Sequence, residues 1–204
     1  MPPRACSVAA LERAAPIDRW GLARQRGLTI GPARGSVLDV GAGTGPNGAY
    51  YPPGTRVVAA GPRAPTPARP VARAAAAVPV RVVAAAVPGL PFADGVFDTV
   101  VCTLVLCAVD DVAGAVADLR RVLSPEGELL FLEHIVGRRP ATAAVQRALA
   151  PALASAGGCR IDRDTIAALR AGGFVVSDCE RLAPVGRLSA GTVVRGRAIK
   201  RSGA

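Results

Sequence analysis

Aromatic side chains are scarce: one Trp, two Tyr and four Phe make up 3% of 204 residues. Proteins that hold single-stranded nucleic acid stack its bases on aromatic rings, and this chain is poorly provided with them. Lysine is nearly missing too, Lys200 being the only one, although the net charge is +10. The positive charge therefore sits on arginines spread along the chain, which reads as a solvated basic face. No nucleic-acid partner is expected. No apolar run reaches the ~18 residues of a membrane span. Met1 to Cys6 carries one charge and lacks the apolar core of a secretory signal, so a cytoplasmic location is the default expectation.

The five cysteines, Cys6, Cys102, Cys107, Cys159 and Cys179, are odd in number and scattered, with no Cys-x-x-Cys pair. Zinc and redox motifs are thus unsupported, and no metal is expected. Cys102 and Cys107 lie in apolar sequence and read as buried thiols. Histidine is represented once, by His134.

What the chain does have is core: half its residues are hydrophobic, enough for one full domain. It is organised around Ser36 to Gly48. Val37-Leu38-Asp39-Val40 reads as a buried strand that stops at glycines. Gly41, Gly43 and Gly45 then alternate with Ala42 and Thr44, a bare stretch able to turn tightly and approach a ligand closely. Pro46 suits the first turn of a short helix carrying Asn47 and ending near Tyr51. Strand, turn and helix start bring backbone N–H groups to face a ligand.

Residues 1–35 show a weak helical pattern interrupted by Pro16 and Gly31-Pro32, and form an N-terminal segment before a domain spanning 36–204. Arg56–Ala60 reads as a second strand ending at Gly61. A crossover helix is expected near 70–77, and Val80–Ala84 is a third strand. Thr99–Thr103, rich in β-branched residues, is the fourth. Asp110 or Asp111 caps a helix that ends at Ser124-Pro125-Glu126-Gly127, before a fifth strand, Glu128–His134. Ala141–Ser155 is helical with a break expected at Pro151. Asp162 or Asp164 then caps a helix over Ile166–Ala171, and Phe174–Ser177 and Thr192–Ile199 are the last strands. The β–α alternation, then a last strand with no helical crossover, predicts one α/β Rossmann-like domain. Its seven-stranded, mostly parallel sheet has the order 3-2-1-4-5-7-6, strand 7 antiparallel, with helices on both faces.

The run Asp39-x-Gly41-x-Gly43-x-Gly45 differs from the Gly-x-Gly-x-x-Gly of dinucleotide sites. It resembles the first motif of class I S-adenosylmethionine-dependent methyltransferases. The likeness continues through Leu90-Pro91-Phe92 and Phe97-Asp98, Leu104 to Val109, and Leu119 to Gly127. Phe131-Leu132-Glu133-His134 and Gly157 to Arg163 resemble the small-molecule branch with ubiquinone/menaquinone-biosynthesis-type enzymes and methyltransferase-like thiol methyltransferases. The resemblance implies S-adenosylmethionine as cofactor and a small-molecule methyl acceptor with an oxygen, sulfur or carbon nucleophile. It places Asp39, Gly41, Ala42, Gly43, Thr44, Gly45, Asn47, Gly61, Gly89, Leu90, Thr103 and Leu104 around the cofactor. In this family the N-terminal segment often closes over the site as a lid, where Trp20 would touch substrate or simply pack.

Two positions depart from the family. Where it has an acid that binds the cofactor ribose, the chain has Gly61; where it has an Asp facing the adenine, the chain has Ala86, followed two residues on by Pro88. Each lost charge-assisted hydrogen bond removes roughly 1.5–3 kcal/mol of affinity. The chemistry left to side chains points to His134, at the C-terminal end of a strand, as a proton acceptor. Asp98, at the start of its strand, reads as structural. The leading reading is a small-molecule methyltransferase. The alternatives are a degenerate relative that binds the cofactor weakly and acts through a protein partner, and an RNA-directed protein.

Overall fold

The computed structural model describes residues 22–43, 45–61, 78–155, 159–182 and 192–201. Its elements are α1 (Leu22–Ile30), β1 (Ser36–Val40), β2 (Arg56–Gly61), β3 (Val80–Ala84), β4 (Phe97–Thr103), α2 (Val112–Val122), β5 (Leu123–Ile135), α3 (Pro140–Ser155), α4 (Thr165–Ala171), β6 (Phe174–Arg181) and β7 (Thr192–Lys200). The seven strands form one sheet in the expected order β3-β2-β1-β4-β5-β7-β6. Only β7 runs antiparallel to its neighbours. The expected crossover helix near 70–77, Thr44 and Trp20 lie outside the described residues.

Burial on two faces explains the near-continuous apolar strands. From β1, Leu38 and Val40 pack with Val100, Cys102, Leu129 and Phe131 on the side of α2 and α4. Val37 packs with Ile30, Val57, Val101 and Leu130 on the other side. The alternating register therefore turns Asp39 toward the α1 side, where Ile30 anchors the helix.

Caps and breakers set the boundaries. Of the two candidate pairs, Asp111 accepts the N–H of Gly114 at 2.8 Å and Asp164 that of Ala167 at 2.9 Å. The short helix expected after the glycine turn is a single 3-10 turn, Gly48–Tyr50, because Pro52 and Pro53 close off its extension and the Asn47 side chain bonds elsewhere. Pro151 does not break α3; its missing N–H removes one bond near the helix end. The helix expected to end at 124–127 ends at Val122, and 124–127 already belong to β5, which follows α2 directly and bulges against Phe97. Asp98 is structural, accepting the N–H of Ser36 at 2.8 Å.

Candidate active site

In open α/β sheets ligands sit beyond the C-terminal ends of the strands, and Asp39, Gly41, Gly61, Thr103 and Leu104 lie at or just past the ends of β1, β2 and β4. Gly41, Gly43 and Gly45 all have positive φ, 68°, 52° and 82°, a region that costs other residues roughly 1–2 kcal/mol. Gly41 is also sterically required: a Cβ there would stand 2.4 Å from Val105 Cγ2. At Gly43 the nearest atom to such a Cβ is the Gly41 carbonyl oxygen at 3.7 Å, so this face of the turn is an open cradle. Ala42 and Gly45 fix the turn through N–H bonds to Ala60 and Ala42 oxygens, at 3.0 and 2.7 Å.

Beneath the turn, four side chains form a buried polar network. Asn47 Nδ2 donates to Asp39 Oδ1 at 2.9 Å and to Thr103 Oγ1 at 3.0 Å. The Arg26 guanidinium donates to Asn47 Oδ1 at 2.8 Å and to Thr103 Oγ1 at 3.1 Å. Burial raises the Asp39 carboxyl to about 6, against the opposing effect of the Asn47 hydrogen bond. Asp39, Asn47 and Thr103 thus brace the turn from below and lock it to β4 and α1. Sequence reasoning missed Arg26. Its one visible signal was a place on the same helix face as Thr29 and Ile30, both buried with it.

At the end of β4 the chain bends sharply. Leu104 has φ 57°, an unusual value for a bulky residue that persists only where its surroundings dictate it. Glu133 does so. Its buried carboxylate accepts the N–H groups of Val105 and Leu106 at 2.8 and 3.1 Å through Oε1, and of Cys107 at 3.0 Å through Oε2. Burial raises the Glu133 pKa while these backbone bonds work against the rise. The sequence singled out only its neighbour His134, whose Nδ1 stands 3.6 Å from Cys107 Sγ. Burial lowers the His134 pKa to about 4, so its ring is neutral near pH 7.

On the side where the resemblance places the adenine, the N–H groups of Gly89 and Leu90 both donate to Asp118 Oδ2 at 2.7 Å. Arg121 ties the same segment down, donating to the oxygens of Leu90 and Phe92 and to Asp94 and Asp118. Two of the segments carrying the family likeness are therefore bonded to each other. Gly61 closes β2 with no carboxylate, and Ala86 is exposed.

The open face of the turn at Gly43 leaves room for a ligand, and comparison with known proteins identifies the family. Residues 38–131 match the family described as "Methyltransferase domain". Over 183 residues the chain is 34% identical to a thiol S-methyltransferase, TMT1B of Homo sapiens, covering 86% of this chain and 75% of that one. It is 39% identical over 104 residues to TMT1A of Homo sapiens, covering 49% of this chain and 43% of that one.

Among solved structures, a Burkholderia thailandensis 1,6-didemethyltoxoflavin-N1-methyltransferase with bound S-adenosylhomocysteine superposes with TM-score 0.64. It is 19% identical, with 98% of this chain and 87% of that chain covered. The YcgJ protein of Bacillus subtilis superposes with TM-score 0.63, also at 19% identity, over 88% of this chain and 99% of that one. These two likenesses concern the fold alone.

The chain belongs to the class I S-adenosylmethionine-dependent methyltransferases. Its chemistry is methyl transfer from that cofactor to a small-molecule acceptor. No described helix is long and apolar enough to cross a membrane.

Proposed function

We propose that the methyl acceptor is the sulfur of a small thiol. The observation that carries this reading is the 34% identity, over 75% of its length, to a thiol S-methyltransferase. S-adenosylmethionine supplies an electrophilic methyl group on a sulfonium. The chain's part is to hold donor and acceptor in line, and such positioning accounts for much of the rate of a two-substrate reaction. Gly41, Ala42, Gly43, Thr44 and Gly45 border the methionine end of the cofactor. Asp39, Asn47 and Thr103 keep that turn rigid through Arg26, and Leu104 bends the chain away from it. Gly61, Gly89 and Leu90 border the ribose and adenine. His134 lies on the acceptor side.

Cofactor binding in this reading is weak, because Gly61 and Ala86 supply no carboxylate and the Gly89 and Leu90 N–H groups are engaged by Asp118. Incubation of the full chain with methyl-labelled S-adenosylmethionine and matched small thiols and alcohols, followed by mass spectrometry, tests the acceptor. Labelled thioether should form, with little labelled ether. Labelling of the alcohols alone, or of neither, overturns the thiol reading.

A further inference from the structure

We propose that Cys107, His134 and Cys159 form a zinc site whose fourth position is open to an incoming thiol. The three residues come from separate segments: the bend after β4, the end of β5 and the chain beyond α3. No local spacing announced them, which is why the scattered cysteines led to the opposite expectation of no metal. Cys107 Sγ, a ring nitrogen of His134 and Cys159 Sγ all lie within 4.8 Å of one another. Cys107 and Cys159 are in side-chain hydrogen-bond contact, and Cys107 Sγ is 3.6 Å from His134 Nδ1. In a tetrahedral site with bonds of about 2.3 Å to sulfur and about 2.0 Å to nitrogen, ligand atoms stand about 3.5–3.8 Å apart. The cluster therefore needs little movement to close on a cation.

The placement is built into the backbone. Arg160, next to Cys159, donates its N–H to the Cys107 carbonyl at 2.7 Å. The Cys107 N–H is held by Glu133 at 3.0 Å. The His134 carbonyl accepts from Thr165 Oγ1 at 2.8 Å. Two sulfurs and one imidazole are a soft donor set that selects zinc over magnesium or calcium. Two thiolates also balance the charge of a divalent ion. A neutral imidazole at His134 has a lone pair to give. Metal binding would release the thiol protons.

Three protein ligands with one vacant position is the pattern of catalytic rather than structural zinc. Cys107 and Cys159 are buried and His134 is half-buried, so access is on the histidine side. The cluster stands at the C-terminal ends of β4 and β5, and the bend that carries Cys107 also carries Val105, which borders Gly41 of the glycine turn. The role of the open position rests on the thiol reading above; binding of the metal does not. An acceptor thiol that coordinates there loses its proton to solvent. Its sulfur then attacks the sulfonium methyl, forming the new S–C bond. The old S–C bond breaks with its electron pair retained on the donor sulfur, leaving S-adenosylhomocysteine and a thioether that coordinates weakly and leaves.

The test uses the reduced, chelator-treated full chain titrated with cobalt(II), then competed with zinc. The expected result is one cobalt per chain, with sulfur-to-cobalt charge-transfer absorption and the intensified visible bands of a tetrahedral ion. Zinc should abolish both. Cys159→Ser should weaken binding by about a hundredfold or more, while Cys179→Ser, an exposed cysteine outside the cluster, should leave it unchanged. Far-ultraviolet circular dichroism confirms that each variant folds, and His134→Ala gives a second, independent loss. A small thiol added to the cobalt form should shift the visible bands. No charge-transfer band, or one that survives Cys159→Ser and His134→Ala, overturns the site. A band indifferent to thiol overturns the open position. A loaded site in a chain that methylates no thiol keeps the metal and discards the acceptor.

Discussion

Glu133 accepts the backbone N–H of Cys107 at 3.0 Å, one of three bonds by which a fully buried carboxylate holds the bend after β4 in place. Glu133→Ala would leave the N–H groups of Val105, Leu106 and Cys107 without this acceptor inside the core. Each buried unsatisfied donor costs about 1–3 kcal/mol, so a stability loss on the order of 3 kcal/mol or more is expected from urea unfolding. Glu133→Gln keeps one acceptor oxygen but turns an NH2 group toward a backbone N–H, and should lose a smaller amount. Equal, near-zero losses for both variants would mean that the bend holds itself.

The strand order was legible because it rests on local signals. Hydrophobic runs alternate with capped helices, and β7 follows β6 without a crossover. The Asp39–Gly45 turn was legible for the same reason, since strand, glycines and spacing are contiguous. Arg26, Glu133 and the Cys107–His134–Cys159 cluster were not legible as a site. Each works only through partners brought close by folding: Arg26 reaches Thr103 across 77 positions, and Cys107 meets His134 across 27. Pro151 and the 124–127 stretch misled because breaker residues were read without their tertiary context. Asp118 was not legible either, because it meets the Gly89 and Leu90 N–H groups only across 28 or more positions.

Asp39 gives the cofactor-free protein a pH signature. Burial raises its carboxyl from 3.8 to about 6, so the folded state holds a proton that the unfolded state has released across that interval. The stabilisation is fully present below about pH 4 and is lost as pH rises through about 6. The unfolding free energy of the wild type, less that of Asp39→Asn, should therefore fall between pH 4 and 7, by on the order of 3 kcal/mol. Paired denaturant titrations across that range measure it. A flat or rising difference would show that Asn47 and Arg26 keep Asp39 ionised in the fold.

The glycine turn separates steric from binding effects. Gly41→Ala places a Cβ 2.4 Å from Val105 Cγ2 and should destabilise the fold, visible as a lowered Tm. Gly43→Val fills open space instead, at the cost of a left-handed backbone of roughly 1–2 kcal/mol. The fold should survive it while calorimetric affinity for S-adenosylhomocysteine is lost. Unchanged affinity in Gly43→Val would remove this face of the turn from the cofactor site.

Restoring a carboxylate at the end of β2 asks whether weak cofactor binding is a property of this chain. Gly61 is the last residue of its strand, and its carbonyl accepts the N–H of Ala85 at 2.8 Å. The backbone there is already held, and Gly61 is not among the described glycines with positive φ, so its backbone conformation is open to other residues. A glutamate at this position stands where the family's ribose-binding acid stands, and one charge-assisted hydrogen bond is worth roughly 1.5–3 kcal/mol. Gly61→Glu should therefore tighten S-adenosylhomocysteine binding by on the order of tenfold or more. Adding Ala86→Asp should tighten it further, by returning a carboxylate to the position where the resemblance places one for the adenine amino group. Calorimetric titration of the wild type and both variants decides the matter. A wild type that binds as tightly as either variant would show that the ribose hydroxyls find partners elsewhere in the chain, and that the two missing acids are without consequence for cofactor affinity.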